Sequence, residues 1–261
     1  MRTTAAAALS LCLALGGLAA AQLPRGSGYL DPATRPDTLK VLPPPPAPGS
    51  AQDLADQAIF RQSRALEGSP RWALAVHDVD LSAPAMMDDF SCALGVLAAP
   101  ASAPRLASLI ARLGPDIAAA VDPPKKRYQR PRPYLRDRGD ICVAKTDALA
   151  RNYDYPSGHA AWSWTIGLVL AELAPGRSGA ILERARAFGD SRVVCGVHNA
   201  SSVAAGRMAA SALFAALNAQ PAFRGDLAGA REEVAALRAS GPRPDPTRCA
   251  AEQALVGKAP W

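Results

Sequence analysis

The chain has 261 residues, 49% hydrophobic and 20% charged but only 5% aromatic, enough for one domain with a sizeable core. Its net charge of +6 comes from scattered Lys and Arg, with no dense basic stripe interleaved with aromatics, which disfavours nucleic acid as a partner. The excess suits a solvated basic face with a modest pull on small anions.

Ala is abundant and Val, Ile and Thr do not alternate, so helix is expected over strand. Met1-Arg2, the apolar stretch Ala5 to Leu18 and the closing Ala19-Ala20-Ala21 read as a secretory signal peptide over 1–21. Cleavage near Ala21 implies a periplasmic or secreted protein. No later segment reads as a membrane span of roughly 20 apolar residues. Residues 22–50, ending with Pro43-Pro44-Pro45-Pro46 close by, predict an extended Pro-rich strap.

Ser50 then caps a helix over Ala51 to Leu66. Gly68-Ser69-Pro70 interrupts, and Trp72 to Asp78 forms a short helix. Helices follow over Met86 to Gly95 and Pro104 to Val121, the second stopped by Asp122-Pro123-Pro124. Lys125 to Arg138 reads as an exposed basic loop. His159 to Leu173 is apolar on nearly every face and predicts a buried central helix ended by Pro175-Gly176. Arg177 to Val194 predicts an amphipathic helix with Arg on one side; Gly196 breaks it. A core helix over Ala200 to Asn218 and an amphipathic one over Asp226 to Arg238 complete the pattern. With no repeat and no second core, 51–240 reads as one all-α helical domain, followed by a tail over 241–261.

Removal of the leader takes Cys12 and leaves Cys92, Cys142, Cys195 and Cys249 in an oxidising compartment. Two disulfides are expected, with three pairings open. Cys142–Cys195 is favoured because it would tie the segment after Arg132 to the one carrying Arg192; Cys92–Cys249 then remains. No Cys-x-x-Cys or His-x-x-x-His spacing supports zinc, and no metal or cofactor is expected.

Two of the three histidines sit in Tyr155-Pro156-Ser157-Gly158-His159 and Ser191-Arg192-x-x-x-x-x-His198, downstream of Lys125-x-x-x-x-x-x-Arg132-Pro133. A phosphomonoester is a dianion whose transition state spreads charge over three peripheral oxygens, which fixed cations and amides stabilise. Lys125, Arg132 and Arg192 supply the charge, and the two guanidiniums present forked donors. Ser157 and Gly158 open a helix whose N–H groups can face an anion. His198 is then the candidate nucleophile and His159 the candidate general acid/base. His77 lies outside these blocks and reads as an ordinary structural or surface residue.

These three blocks resemble the signature of the phosphatidic acid phosphatase type 2 superfamily. Tyr128 to Pro133, Tyr155 to His159 and Ser191 to His198 resemble its bacterial class A non-specific acid phosphatases. The likeness extends through Asp53-Leu54-Ala55-Asp56-Gln57 and Phe90-Ser91-Cys92-Ala93-Leu94-Gly95, and covers roughly Val41 to Ala219. It implies a single-domain helical bundle of the kind shared with vanadium haloperoxidases, export, and metal-independent hydrolysis of small phosphomonoesters through a phosphohistidine. It also implies that Lys125, Arg132, Ser157, Gly158 and Arg192 hold phosphate, and that copies of the chain associate as homo-oligomers.

One position departs from that pattern. The motif runs from its nucleophilic histidine through three residues to an aspartate, and here Ser202 stands in that place. Ser202 can orient the ring of His198 but cannot supply its countercharge, so an attenuated enzyme is expected unless Asn199 or a backbone carbonyl substitutes. The rival readings are a vanadium-dependent haloperoxidase and a non-catalytic periplasmic phosphate-binding protein.

Overall fold

The computed structural model describes residues 27–261; the leader assigned to 1–21 lies outside the described residues. The described chain is helical throughout, with no strand. In chain order the helices are α1 (Thr38–Val41), α2 (Ala51–Ser63), α3 (Pro70–His77), α4 (Ala83–Asp89), α5 (Ser91–Leu94), α6 (Pro104–Tyr128), α7 (Asp147–Arg151), α8 (Gly158–Leu173), α9 (Ser178–Val194), α10 (Ala200–Asn218), α11 (Pro221–Ser240) and α12 (Pro246–Val256).

α8 is the central element, packed between α9 and α10 with α6 and α11 beyond. Its apolar residues leave no polar face, which is what a helix surrounded by others requires. Ile166 and Val169 join Leu106, Leu109, Ile110, Leu113, Phe188, Leu213 and Phe223 in the main core. Ser157 starts α8 by accepting a hydrogen bond from the Ala160 amide at 3.3 Å.

α10 crosses this start at very short range. A Cβ at Gly206 would lie 2.5 Å from the Ser157 carbonyl oxygen, so only glycine admits the approach. Gly206→Ala is expected to destabilise the protein by about 1–3 kcal/mol, as overpacking generally does. At about 2–4 °C per kcal/mol, thermal melting should register it clearly. An unchanged melting temperature would mean that α10 shifts at no cost.

Several sequence expectations change. α6 runs through Pro123 and Pro124 to Tyr128, because the proline φ is itself a helical value and Pro124 packs inside. Gln129 then ends it in the left-handed region, φ 46°. Lys125 therefore stands on a helix rather than in a loop. α9 is not amphipathic: Arg184 and Arg192 are both 1% exposed. Burial of Arg184 is compensated by a fork onto Asp78, at 2.6 and 3.3 Å. α10 is long and apolar enough by composition to cross a membrane, with mean hydropathy 1.3, and here packs against α8 and α9.

Both ends of the described residues pack onto the same body. The strap carries α1 and pins Tyr29 and Leu30, whose amides donate to the buried Asp116 carboxylate. The tail contains α12, joined to α5 by the Cys92–Cys249 disulfide. A second disulfide joins Cys142 to Cys195, beside a 3.0 Å hydrogen bond from the Cys142 amide to the Cys195 carbonyl. His77 is half exposed and pairs with Asp89 at 2.9 Å.

Candidate active site

The ends of the long helices converge on one cavity of about 310 Å³. The last turn of α6 brings Lys125, and the segment after it brings Arg132. Gly158 and His159 come from the first turn of α8, Arg192 from the last turn of α9, and His198 from the turn before α10. Val79, Val143, Ala144, Leu149 and Val197 form an apolar rim, with Thr146 and Asn152 as its polar members. Tyr134, Tyr155 and Trp162 do not line it. The Tyr155 hydroxyl instead donates to the Pro43 carbonyl at 2.6 Å.

The ring of His198 is held from both sides. Its Nε2 lies 3.2 Å from Arg132 Nη1. A guanidinium can only donate, so Nε2 carries the lone pair. Nδ1 therefore carries the proton and donates to the Asp154 carbonyl oxygen at 2.7 Å and to Asp154 Oδ1 at 3.0 Å. This tautomer, assigned from its hydrogen bonds, exposes an unprotonated nitrogen beside the cations. Burial and then Arg132 push the His198 pKa down to about 3, against the opposing pull of Asp154.

Arg132 is itself fixed, donating from Nε to the Leu149 and Asn152 carbonyls at 3.0 and 2.6 Å and from Nη1 to Val197 O at 2.7 Å. Lys125 donates to the Tyr153 carbonyl, and burial followed by the Arg132 charge brings its pKa to about 7. Arg192 donates to the Ala75 carbonyl, while its buried Nε has no hydrogen-bond partner among the described residues. Burial, ahead of repulsion from neighbouring arginines, lowers its pKa to about 10. The cup thus concentrates positive charge that protein anions do not fully compensate.

His159 Nε2 lies 3.1 Å from the Val79 carbonyl, which can only accept. In the neutral ring Nε2 therefore carries the proton and Nδ1 is free to take another. Burial and then Arg192 hold its pKa well below the ordinary histidine value.

Two expected contacts are rearranged. Ser157 is fully buried as the cap of α8 and is not among the residues lining the cavity. Ser202 does not orient the ring directly; its hydroxyl donates to Asp154 Oδ2 at 2.6 Å. Physically, the space in front of Nδ1 is already occupied by Asp154. The carboxylate that position 202 lacks is therefore present from another element, and the backbone carbonyl of the same residue adds a second acceptor.

Asp154 and Arg130 are the residues that sequence reasoning missed. Arg130 Nη2 reaches Asp53 and Asp56 at 3.3 and 3.0 Å, and its Nη1 lies 3.3 Å from Asp154. Ser191 supports the cup from behind, donating to Asp78 at 2.5 Å and accepting from Arg71 at 3.0 Å. The Asp53 to Gln57 block offered a signal for Arg130, because a paired acidic block needs a buried cation when it faces the core. Asp154 was visible as the acidic residue joined to Tyr155.

Residues 106–226 match the model of the PAP2 superfamily. Over 218 residues the chain is 39% identical to an acid phosphatase of Zymomonas mobilis subsp. mobilis, covering 83% of each chain. It is 37% identical over 212 residues to a non-specific acid phosphatase of Providencia stuartii, covering 80% of this chain and 86% of that one. A non-specific acid phosphatase of Salmonella typhimurium is 36% identical over 197 residues, covering 74% and 78%. A cationic cup with two histidines, built on an all-helical body, agrees with these likenesses. The chain belongs to the non-specific acid phosphatases of the PAP2 superfamily.

Proposed function

We propose that this protein is an exported acid phosphatase that hydrolyses small phosphomonoesters without a metal, through a phosphohistidine on His198. The observation that carries the reading is the fixed tautomer of His198, whose unprotonated Nε2 lies beside Arg132 on the cavity shared with His159. Nε2 forms the bond to phosphorus as the ester P–O bond breaks, and the departing oxygen takes a proton from His159 Nδ1. Water then attacks phosphorus, gives its proton to His159, and the N–P bond breaks to release phosphate. Lys125, Arg132, Arg192 and the backbone at Gly158 hold the oxygens. The attenuation expected from Ser202 is not carried forward, because Asp154 stands against Nδ1. Export is supported by the two disulfides, which persist in oxidising compartments.

The pKa directions fix the expected pH profile. His198 stays unprotonated from about pH 3 upward, so the nucleophile does not limit the acidic side. His159 is neutral in the free enzyme, so the proton for the leaving group arrives with the monoanionic ester, whose second ionisation lies near pH ~6. Above about 7 the free enzyme also loses the Lys125 charge. Activity per unit of enzyme and substrate, kcat/KM, should therefore fall as pH rises above roughly 6. Hydrolysis of an aryl phosphate in the presence of a chelator checks both points. Dependence on an added metal, or a rate still climbing above neutrality, would contradict the reading.

A further inference from the structure

The signature that the three sequence blocks resemble has an aspartate four residues after its nucleophilic histidine, and this chain has Ser202 there. The segment joining α7 to α8 fills the gap. Asp154 is completely buried, and its amide donates to the Arg130 carbonyl at 2.8 Å, so its backbone is fixed as firmly as a helical residue. Its Oδ1 faces His198 Nδ1 and also accepts from the Asn199 amide at 3.1 Å. Its Oδ2 accepts from Asn199 Nδ2 at 2.8 Å and from Ser202 Oγ at 2.6 Å, and lies 3.3 Å from Arg130 Nη1. Every donor in this shell suits an ionised carboxylate. Ser202, with a hydroxyl where the motif has an acid, is the residue type that such a neighbour requires.

We propose that Asp154 is the positioning residue and charge partner of His198, a carboxylate relocated from position 202 to the loop before Tyr155, with Ser202 serving as its hydrogen-bond donor. The inference rests on the phosphatase reading above. Its chemical content is that Asp154 fixes the Nδ1–H tautomer and balances the positive imidazole formed when Nε2 bonds to phosphorus. Positions 154 and 202 are then alternative anchors for one carboxylate. Acids at both would place two buried carboxylates within hydrogen-bond reach, where one must take up a proton.

The test is a four-member exchange: wild type, Asp154→Ser, Ser202→Asp and the double variant, with Asp154→Asn as the isosteric control. Each is compared by kcat and KM for an aryl phosphate, inhibition by inorganic phosphate, thermal melting, and 15N NMR of the histidine rings. Asp154→Asn and Asp154→Ser should lower kcat by about 10²- to 10⁴-fold, as loss of a histidine's carboxylate partner does elsewhere. Phosphate inhibition should move less than about 3-fold, because the cup is intact. Ser202→Asp alone should also lower kcat, and the double variant should recover at least about tenfold over Asp154→Ser. In resting wild type the NMR spectrum should show His198 protonated on Nδ1, with that preference weakened in Asp154→Asn. A folded Asp154→Asn with near-normal kcat and an unchanged ring tautomer would overturn the proposal, as would a folded double variant with no recovery. If wild type hydrolyses no phosphomonoester, the functional reading fails, while the ring spectra still decide whether Asp154 sets the tautomer.

Discussion

His198→Ala is expected to lower kcat for phosphomonoesters by more than about 10⁴-fold while inorganic phosphate still binds. The size follows from what is removed. On the proposed mechanism Nε2 is the atom that bonds to phosphorus, so without it no covalent intermediate would form, and the remaining cations could only stabilise a direct attack by water. Phosphate binding should change little, since Lys125, Arg132 and Arg192 are held by backbone carbonyls rather than by the imidazole. Arg132 Nη1 loses one acceptor and keeps Val197 O at 2.7 Å. Rapid mixing with an aryl phosphate should show a burst of phenol in wild type and none in the variant. Acid-stable phosphate on nitrogen is not expected, so trapping must be done under alkaline conditions. If His198→Ala keeps more than about one hundredth of the wild-type rate, the nucleophile lies elsewhere.

How much of this site could be read before the structure depends on whether a feature is local. The start of α8 is local: Ser157 caps, Gly158 and His159 follow, and the apolar run needs burial on all sides, so the pattern is complete within its own segment. The cationic cup is half local. Lys125, Arg132 and Arg192 were nameable as residues suited to phosphate, but their convergence depends on α6 running through two prolines and on α9 being buried around its charged side chains. The partner of His198 was not legible at all from spacing. Helical periodicity points from His198 to Ser202, while the true neighbour, Asp154, arrives from 44 residues upstream through a loop. Helix periodicity speaks of one face of one element; it is silent on which loop crosses that face. The apolar rim of Val143, Ala144 and Leu149 was hidden in the same way, between the Lys125 to Arg138 stretch and Tyr155, where the sequence pattern assigns no element.

His159→Gln should separate the two chemical steps. Proton delivery to the departing oxygen matters most when the leaving group is a poor one, so alkyl phosphates should lose about 10³- to 10⁴-fold in kcat/KM. A nitrophenyl ester, whose oxygen leaves as a stable phenolate, should transfer its phosphoryl group to His198 with a much smaller loss. Its steady-state turnover should nevertheless fall, because the same imidazole is needed to take a proton from the attacking water. The variant should therefore accumulate phosphoenzyme with an aryl substrate, and added hydroxylamine or another small nucleophile should speed its release. Glutamine, whose amide nitrogen reaches the place of Nε2, keeps a donor for the Val79 carbonyl that lies 3.1 Å from that nitrogen, so the wall of the cavity is preserved. Equal losses for alkyl and aryl esters, with no accumulated intermediate, would mean that His159 only shapes the cup and that another group moves the proton.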